Sequence, residues 1–244
     1  GLQAYIPTIN TSGTQVEDIT LSLDNMNDAL DLSLYVYNRL PKDNPTAAKI
    51  GDVKAYIDFS AANNELDATI KLDNTDNVRN AGTISISTLL HRYANKPFAN
   101  MHIHPTEIIL NDSIWNINES HITYNASEKI IEIRDFVLNT DYQSIAVHGI
   151  ASSSEEDSVH IDLQNIDLQY ILSYTLVADA ISVNGPLTGH STIHSMLSKP
   201  MVAANVNIPK AGLNNTYLGD VTATAYYDYA QRAIIINGDV IDST

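Results

Sequence analysis

The sequence predicts an all-β fold, antiparallel and poor in helix. Three observations carry this. Apolar and polar residues alternate with a period of two over most of the chain, turn-forming residues recur between the alternating runs, and few segments have helical spacing.

Taken in chain order, Thr69 to Asp73 places Ile70 and Leu72 between polar neighbours, and Thr83 to Thr88 does the same for Ile84 and Ile86. Ile145, Val147 and Gly149 alternate with Ser144 and His148, and Val159, Ile161 and Leu163 with Ser158, His160, Asp162 and Gln164. Val202, Ala204, Val206 and Ile208 follow, then Val221, Ala223, Ala225 and Tyr227, then Ile234 and Ile236. Successive strand side chains point to opposite faces, so each run reads as a strand with one apolar and one wetted side. Turns are expected at Asn63-Asn64, Asp73-Asn74, Asn125 to Ser127, Ser152 to Asp157, Asn184 to Pro186, Asn214-Asn215 and Asn237-Gly238. Helix is expected at Leu168 to Tyr174, after an Asp167 cap, and more weakly around Ser87 to Tyr93. Arg92 to Thr106 holds two prolines and is the expected internal boundary between a β-rich segment (1–100) and a second one (101–244), the alternative being one continuous elongated domain.

Composition narrows the function. The 244 residues carry 13 Lys and Arg against 29 Asp and Glu, a formal charge of −16, so the chain lacks the basic stripe that nucleic-acid binding needs. The same charge disfavours anionic membrane faces. With no cysteine there is no thiol nucleophile, zinc-thiolate site or disulfide framework. No apolar run approaches the ~18 residues of a membrane span, and Gly1 to Pro7 lacks the features of a signal peptide. The chain reads as an excised piece of something longer. One Trp and three Phe provide few aromatic core anchors, which leans towards a long sheet with a thin or open apolar face.

The candidate chemistry is sparse. His102 and His104 share a strand face at spacing two and could hold a metal if a third ligand approached. His190 and His194 lie in an alternating run without the Glu of a metalloprotease helix, so the histidines read as wetted-face residues and no metal is assigned. There is neither a Gly-x-Ser-x-Gly elbow nor a glycine-rich phosphate loop, and no carboxylate pair stands out. Asp24 to Asp31 and Asp73 to Asp76 lack the regular spacing of calcium loops. Asn-x-Ser/Thr triplets at Asn10, Asn118, Asn125 and Asn214 are near chance in so Asn-rich a chain. No catalytic residue and no cofactor is assigned, and the chain reads as a non-enzyme.

An ordered series of segments between 105 and 240 resembles a known family. They are Pro105-Thr-Glu-Ile-Ile-Leu-Asn-Asp-Ser-Ile-Trp-Asn-Ile, Ile130-Ile-Glu-Ile-Arg-Asp-Phe-Val-Leu, Gln143-Ser-Ile-Ala-Val-His-Gly-Ile-Ala-Ser, Gly185-Pro-Leu-Thr-Gly-His and Leu218-Gly-Asp-Val. Leu23-Asp-Asn-Met and Val36-Tyr-Asn-Arg fit more loosely. Together they resemble the repeats of TamB, the translocation and assembly module proteins of the AsmA-like superfamily, in their Bacteroidetes form. The resemblance implies an elongated antiparallel sheet curled into a half-pipe, the β-taco, with an aliphatic inner face. It also implies an internal segment of a periplasmic protein that is anchored at the inner membrane by a part absent here and carries phospholipid acyl chains between the two membranes. An outer-membrane assembly protein is the further partner it implies, through parts of the chain not present. On this reading the lipid-groove lining is Ile117, Ile131, Ile133, Ile145, Val147, Val159, Ile161, Leu163, Ile193, Val206, Ile208, Val221, Ile234 and Ile236. Two alternatives remain: a structural and docking scaffold in outer-membrane protein assembly, and a secreted glycan-binding β-protein, which the single Trp115 disfavours.

Overall fold

The computed structural model describes residues 1–11, 14–26, 29–39, 52–74, 78–169, 182–214, 216–229 and 231–241. It is almost entirely antiparallel β-sheet, with 18 strands among the described residues. The strands fall into two compact units, Gly1–His121 and Ile122–Thr244.

In the first unit β1 (Leu2–Thr11), β2 (Thr14–Met26), β3 (Ala29–Arg39), β4 (Val53–Ala62), β5 (Glu65–Asn74) and β6 (Ala81–Tyr93) form a meander in which each strand pairs with the next. β7 (Lys96–Ile103) and β8 (Thr106–Leu110) then share β6 as a partner, and β9 (Ser113–Ile117) closes a hairpin with β8. β10 (Ser120–Asn125) spans the division between the units. The second unit runs β11 (Ile130–Asn139), β12 (Ser144–Ala151) and β13 (Ser158–Asp167), then β15 (Pro186–His194), β16 (Met201–Leu213), β17 (Thr216–Asp228) and β18 (Ala233–Ile241). The short β14 (Val183–Asn184) pairs with the far end of β16.

Turn chemistry explains the tightest hairpins. Asn63-Asn64, Ala94-Asn95 and Asn111-Asp112 each join paired strands through two residues, and all six have positive φ between 48° and 66°. That is the two-residue hairpin turn whose twist matches the strands, and Asn and Asp tolerate it best. The Ala94 turn spans the expected boundary at Arg92 to Thr106: Arg92 pairs with Pro97 and Tyr93 with Lys96, so the chain there is a hairpin. Pro105 falls in the two-residue break between β7 and β8, where the Thr106 hydroxyl donates to the Thr83 carbonyl at 2.9 Å.

Three other expectations meet the structure. Ser87 to Tyr93 is strand, not helix. Both faces of β6 are exposed from Leu89 to Tyr93, so no burial enforces the alternation that marks a strand. Asn237-Gly238 is no turn; both residues lie inside β18, opposite Thr224 and Ala223. Of the helix expected at Leu168 to Tyr174, Leu168 and Gln169 are helical and the rest lies outside the described residues.

Four strand irregularities share one design. Register shifts in β2, β11, β13 and β16 coincide with Asp18, Asp135, Asn165 and Lys210, whose φ values are 52°, 57°, 53° and 53°. Each is a bulge, an extra residue that bends and twists its strand. Two of the freed amides are taken by side chains: Asn165 N–H by the Thr188 hydroxyl at 3.1 Å, and Lys210 N–H by Asp220 Oδ1 at 2.8 Å.

Among these hairpin turn residues Ala94 alone has no polar side chain to favour its conformation, while its Cβ crowds the following carbonyl in the left-handed region. Replacing it with Asn is expected to stabilise the protein by about 0.5–1 kcal/mol. The check is chemical denaturation of Ala94→Asn beside the parent chain; a midpoint that stays put or falls contradicts the hairpin geometry.

Candidate functional site

The pairing register sorts the second unit into two chemically distinct faces. Reading across β11, β12, β13, β15 and β16, one row is Ile133, Gly149, Val159, Ile193 and Val202. The next is Val147, Ile161, Ser191, Ala204, Ala225 and Ile236, and a third is Ile145, Leu163, Gly189, Val206, Ala223 and Gly238. Directly opposed residues share a face, so these rows make one aliphatic surface. Thirteen of the fourteen residues expected to line a groove lie on it; Ile117, on β9, belongs to the first unit and is buried there.

Bulges add members that strict alternation missed. Phe136 and Leu138 rejoin the apolar face after the Arg134-Asp135 interruption, opposite Val147 and Ile145. Ile166 rejoins after Gln164-Asn165 and Ala211 after Pro209-Lys210, and both are buried. The signal available in the sequence was a pair of non-alternating residues inside an apolar run.

This surface is graded. Its middle strands carry small residues (Gly189, Ser191, Ala204, Ala223, Ala225), flanked by Ile161 and Leu163 on one side and Ile234 and Ile236 on the other. At Gly189 a Cβ would lie 2.8 Å from Val206 Cγ1, so only glycine leaves room for that side chain. An apolar hollow of about 480 Å³ opens towards the β16–β18 end, lined by Pro200, Val202, Ala204, Ala225, Tyr227 and Ile234 among others. Burial falls off along the face: Val159 is 1% exposed, Ile234 66% and Ile236 68%.

The first unit repeats the arrangement. Leu21, Leu34, Ile57, Ile70 and Ile84 are successive partners across β2 to β6, with Leu23, Leu32, Phe59, Ala68 and Ile86 as the adjacent row. Its other face is bound by short polar contacts, among them Ser33 to Asp58 at 2.7 Å and Ser60 to Asp31 at 2.6 Å.

The opposite face of the second unit holds a histidine ladder. His148 and His160 stack at 5.1 Å, and His160 and His190 at 5.4 Å. Ser158 Oγ lies 2.9 Å from His160 Nε2, His160 Nδ1 lies 3.4 Å from His190 Nε2, and His190 Nδ1 lies 2.7 Å from Asp162 Oδ1. Sequence reading missed this chain, although Ser158, His160 and Asp162 alternate on one strand and His190 comes from its neighbour. A hydroxyl, two imidazoles and a carboxylate in series form a path along which a proton can pass. Acyl transfer also requires donors aimed at a developing oxyanion, whereas strand N–H groups here point sideways into the ladder. A wide hollow of about 970 Å³ is of mixed character, lined by His190, Asn205, Thr222 and Thr224 together with Val206, Ala223 and Ile236.

No protein-family model, curated protein or solved structure matches the chain. Among the described residues no helix is long and apolar enough to cross a membrane. What fold and surface define is a class: an antiparallel β-sheet protein with one aliphatic face and one face of short polar side chains.

Burial first, and then the adjacent His148 and His190, hold the His160 ring below the ordinary imidazole value of 6.5, while Asp162 pulls the other way. The fold therefore favours the neutral ring. Its contribution to stability is whole above pH 6.5 and is lost as the pH falls through the lower folded value. Denaturation at about pH 7.5 and about pH 5 is expected to show an acid-induced loss of stability that shrinks in His160→Gln. An unchanged acid dependence in that variant contradicts the assignment.

Proposed function

We propose that this chain is a segment of a TamB-like envelope protein in which an aliphatic sheet face holds or conducts phospholipid acyl chains. The observation that carries the reading is the continuous aliphatic face, left accessible along β15 to β18. Only seven apolar side chains are buried among the described residues, while Ile234, Ile236 and Val240 on this face are each more than half exposed. An exposed apolar patch of this kind on a protein surface marks an interaction site.

The physics suits a hydrocarbon tail. Each methylene in water costs about 0.8 kcal/mol, so a tail of about sixteen carbons is penalised by roughly 12 kcal/mol. An aliphatic wall removes much of that cost without requiring any directional contact. Rows of similar Ile, Val, Leu and Ala side chains offer a tail nearly equal energies from one strand to the next, so movement along them meets small barriers. The head group would remain in water. Bulges at Asp135, Asn165 and Lys210 bend their strands, which is the device by which a sheet curls into a half-pipe. In this reading the protein works in the periplasm and needs neither nucleophile nor metal for transport.

Organic extracts of the purified protein, analysed by mass spectrometry, are expected to contain phospholipid. Ile161→Asp and Val206→Asp should each lower bound lipid at least about tenfold, because a carboxylate on an apolar wall is strongly disfavoured. His160→Asp, on the wetted face, should leave lipid unchanged; circular dichroism confirms that all three fold. Lipid retained with Asp on the apolar wall contradicts the proposal. Extracts without lipid favour instead a scaffold that docks an outer-membrane assembly factor through strand edges.

A further inference from the structure

We propose that His102, Glu119 and His121 form a binding site for a divalent transition-metal ion, zinc being the ion that fits the donors best. The site is independent of the lipid reading and lies wholly within the first unit.

Local structure brings the three side chains together. His102 is the penultimate residue of β7, opposite Ser87 of β6. Ser120 is fully buried, and its hydroxyl donates to the Asn118 carbonyl at 3.2 Å. In extended chain the residues on either side of it project together to the opposite side, which sends Glu119 and His121 towards His102. One ligand atom from each of the three lies within 4.8 Å of the others. The rings of His102 and His121 stack at 4.8 Å with 2° between their planes, so one ring turns to bring both in-plane lone pairs onto a shared ion. On the other side His104 packs against His102 at 4.4 Å and is itself held by Ser87 Oγ at 2.8 Å.

The His102 nitrogen is the most informative atom. Its Nε2 is closed off from water and sits 2.8 Å from Glu119 Oε1, yet it makes no aligned hydrogen bond. A buried ring nitrogen in that state calls for an explanation, and an ion shared with the carboxylate supplies one. Zinc bonds of 2.0–2.2 Å in a tetrahedron separate neighbouring donors by roughly 3.3 Å, so His102 and Glu119, at 2.8 Å, part a little while the His121 donor, within 4.8 Å, draws in. Glu119, 60% exposed, has room to shift as the ion enters. Two imidazoles and one carboxylate suit zinc or its late-transition neighbours, whereas calcium and magnesium prefer oxygen alone. The negative field of a chain with net charge −16 adds a general attraction for cations.

The test is calorimetric titration of the whole chain with zinc sulfate, with the histidine ring resonances followed by NMR. The expected result is one equivalent bound, perturbing His102 and His121, with nickel competing and excess magnesium silent. Glu119→Gln and His121→Ala, both at exposed positions, should keep the fold and weaken binding at least about tenfold. His190→Asn, in the separate histidine ladder, should bind as the parent does. No heat and no resonance shift with zinc overturns the proposal. So does binding that survives both first-unit substitutions, or that disappears in His190→Asn.

Discussion

The structure depends on the strict alternation of side chains along an extended strand. Because neighbours point to opposite faces, a sequence that repeats apolar residues every second position separates oil from water across one sheet. Register then does the rest. Ile161 meets Val147 on one side and Ser191 on the other, and Val206 meets Gly189 and Ala223, so each strand extends the same surface. The wetted face gathers what is left over, and its Ser, Thr, Asn, Asp and His side chains bond across strands, as Asp162 and His190 do. An uncovered aliphatic face has a cost of about 25 cal/mol per Å² of apolar area left in water, and a hydrophobic ligand relieves that cost.

Bulges reconcile this constraint with curvature. An extra residue would normally flip every later side chain to the wrong face. Here each bulge adds one residue at positive φ, and the apolar series resumes in phase, with Phe136 after Asp135 and Ile166 after Asn165. Asp, Asn and Lys accept that conformation, and the Thr188 and Asp220 side chains satisfy two of the amides that leave the ladder. The same positions that keep the face continuous are those at which the strands bend.

Much of this was legible in the sequence where apolar and polar residues alternate. Ile70 and Leu72, Ile84 and Ile86, and the runs from Ile145 onward lie in strands as their alternation predicts. Legibility failed where that alternation is absent. From Leu89 to Tyr93 both faces meet solvent, and the run was read as helix. Asn237-Gly238 has the chemistry of a turn, but pairing with Thr224 and Ala223 carries the strand through it. Bulges were hidden because two non-alternating residues also mark the end of a strand. The histidine groups were hidden for a different reason. His102 meets His121, and His160 meets His190, only through pairing between residues distant in sequence, which periodicity along the chain does not encode.

The central claim is that the aliphatic face of the second unit stays open to hydrocarbon. The chain has no cysteine, so a single introduced thiol can carry a spin label without background. Ala225 faces the aliphatic side and Thr224 the wetted one. Paramagnetic-relaxation measurements on Ala225→Cys and Thr224→Cys, each with and without added phospholipid, compare the two faces directly. The account predicts that lipid shields the label at 225 from water-soluble nickel reagent and leaves the label at 224 unchanged. Equal exposure of both labels in the presence of lipid would contradict it.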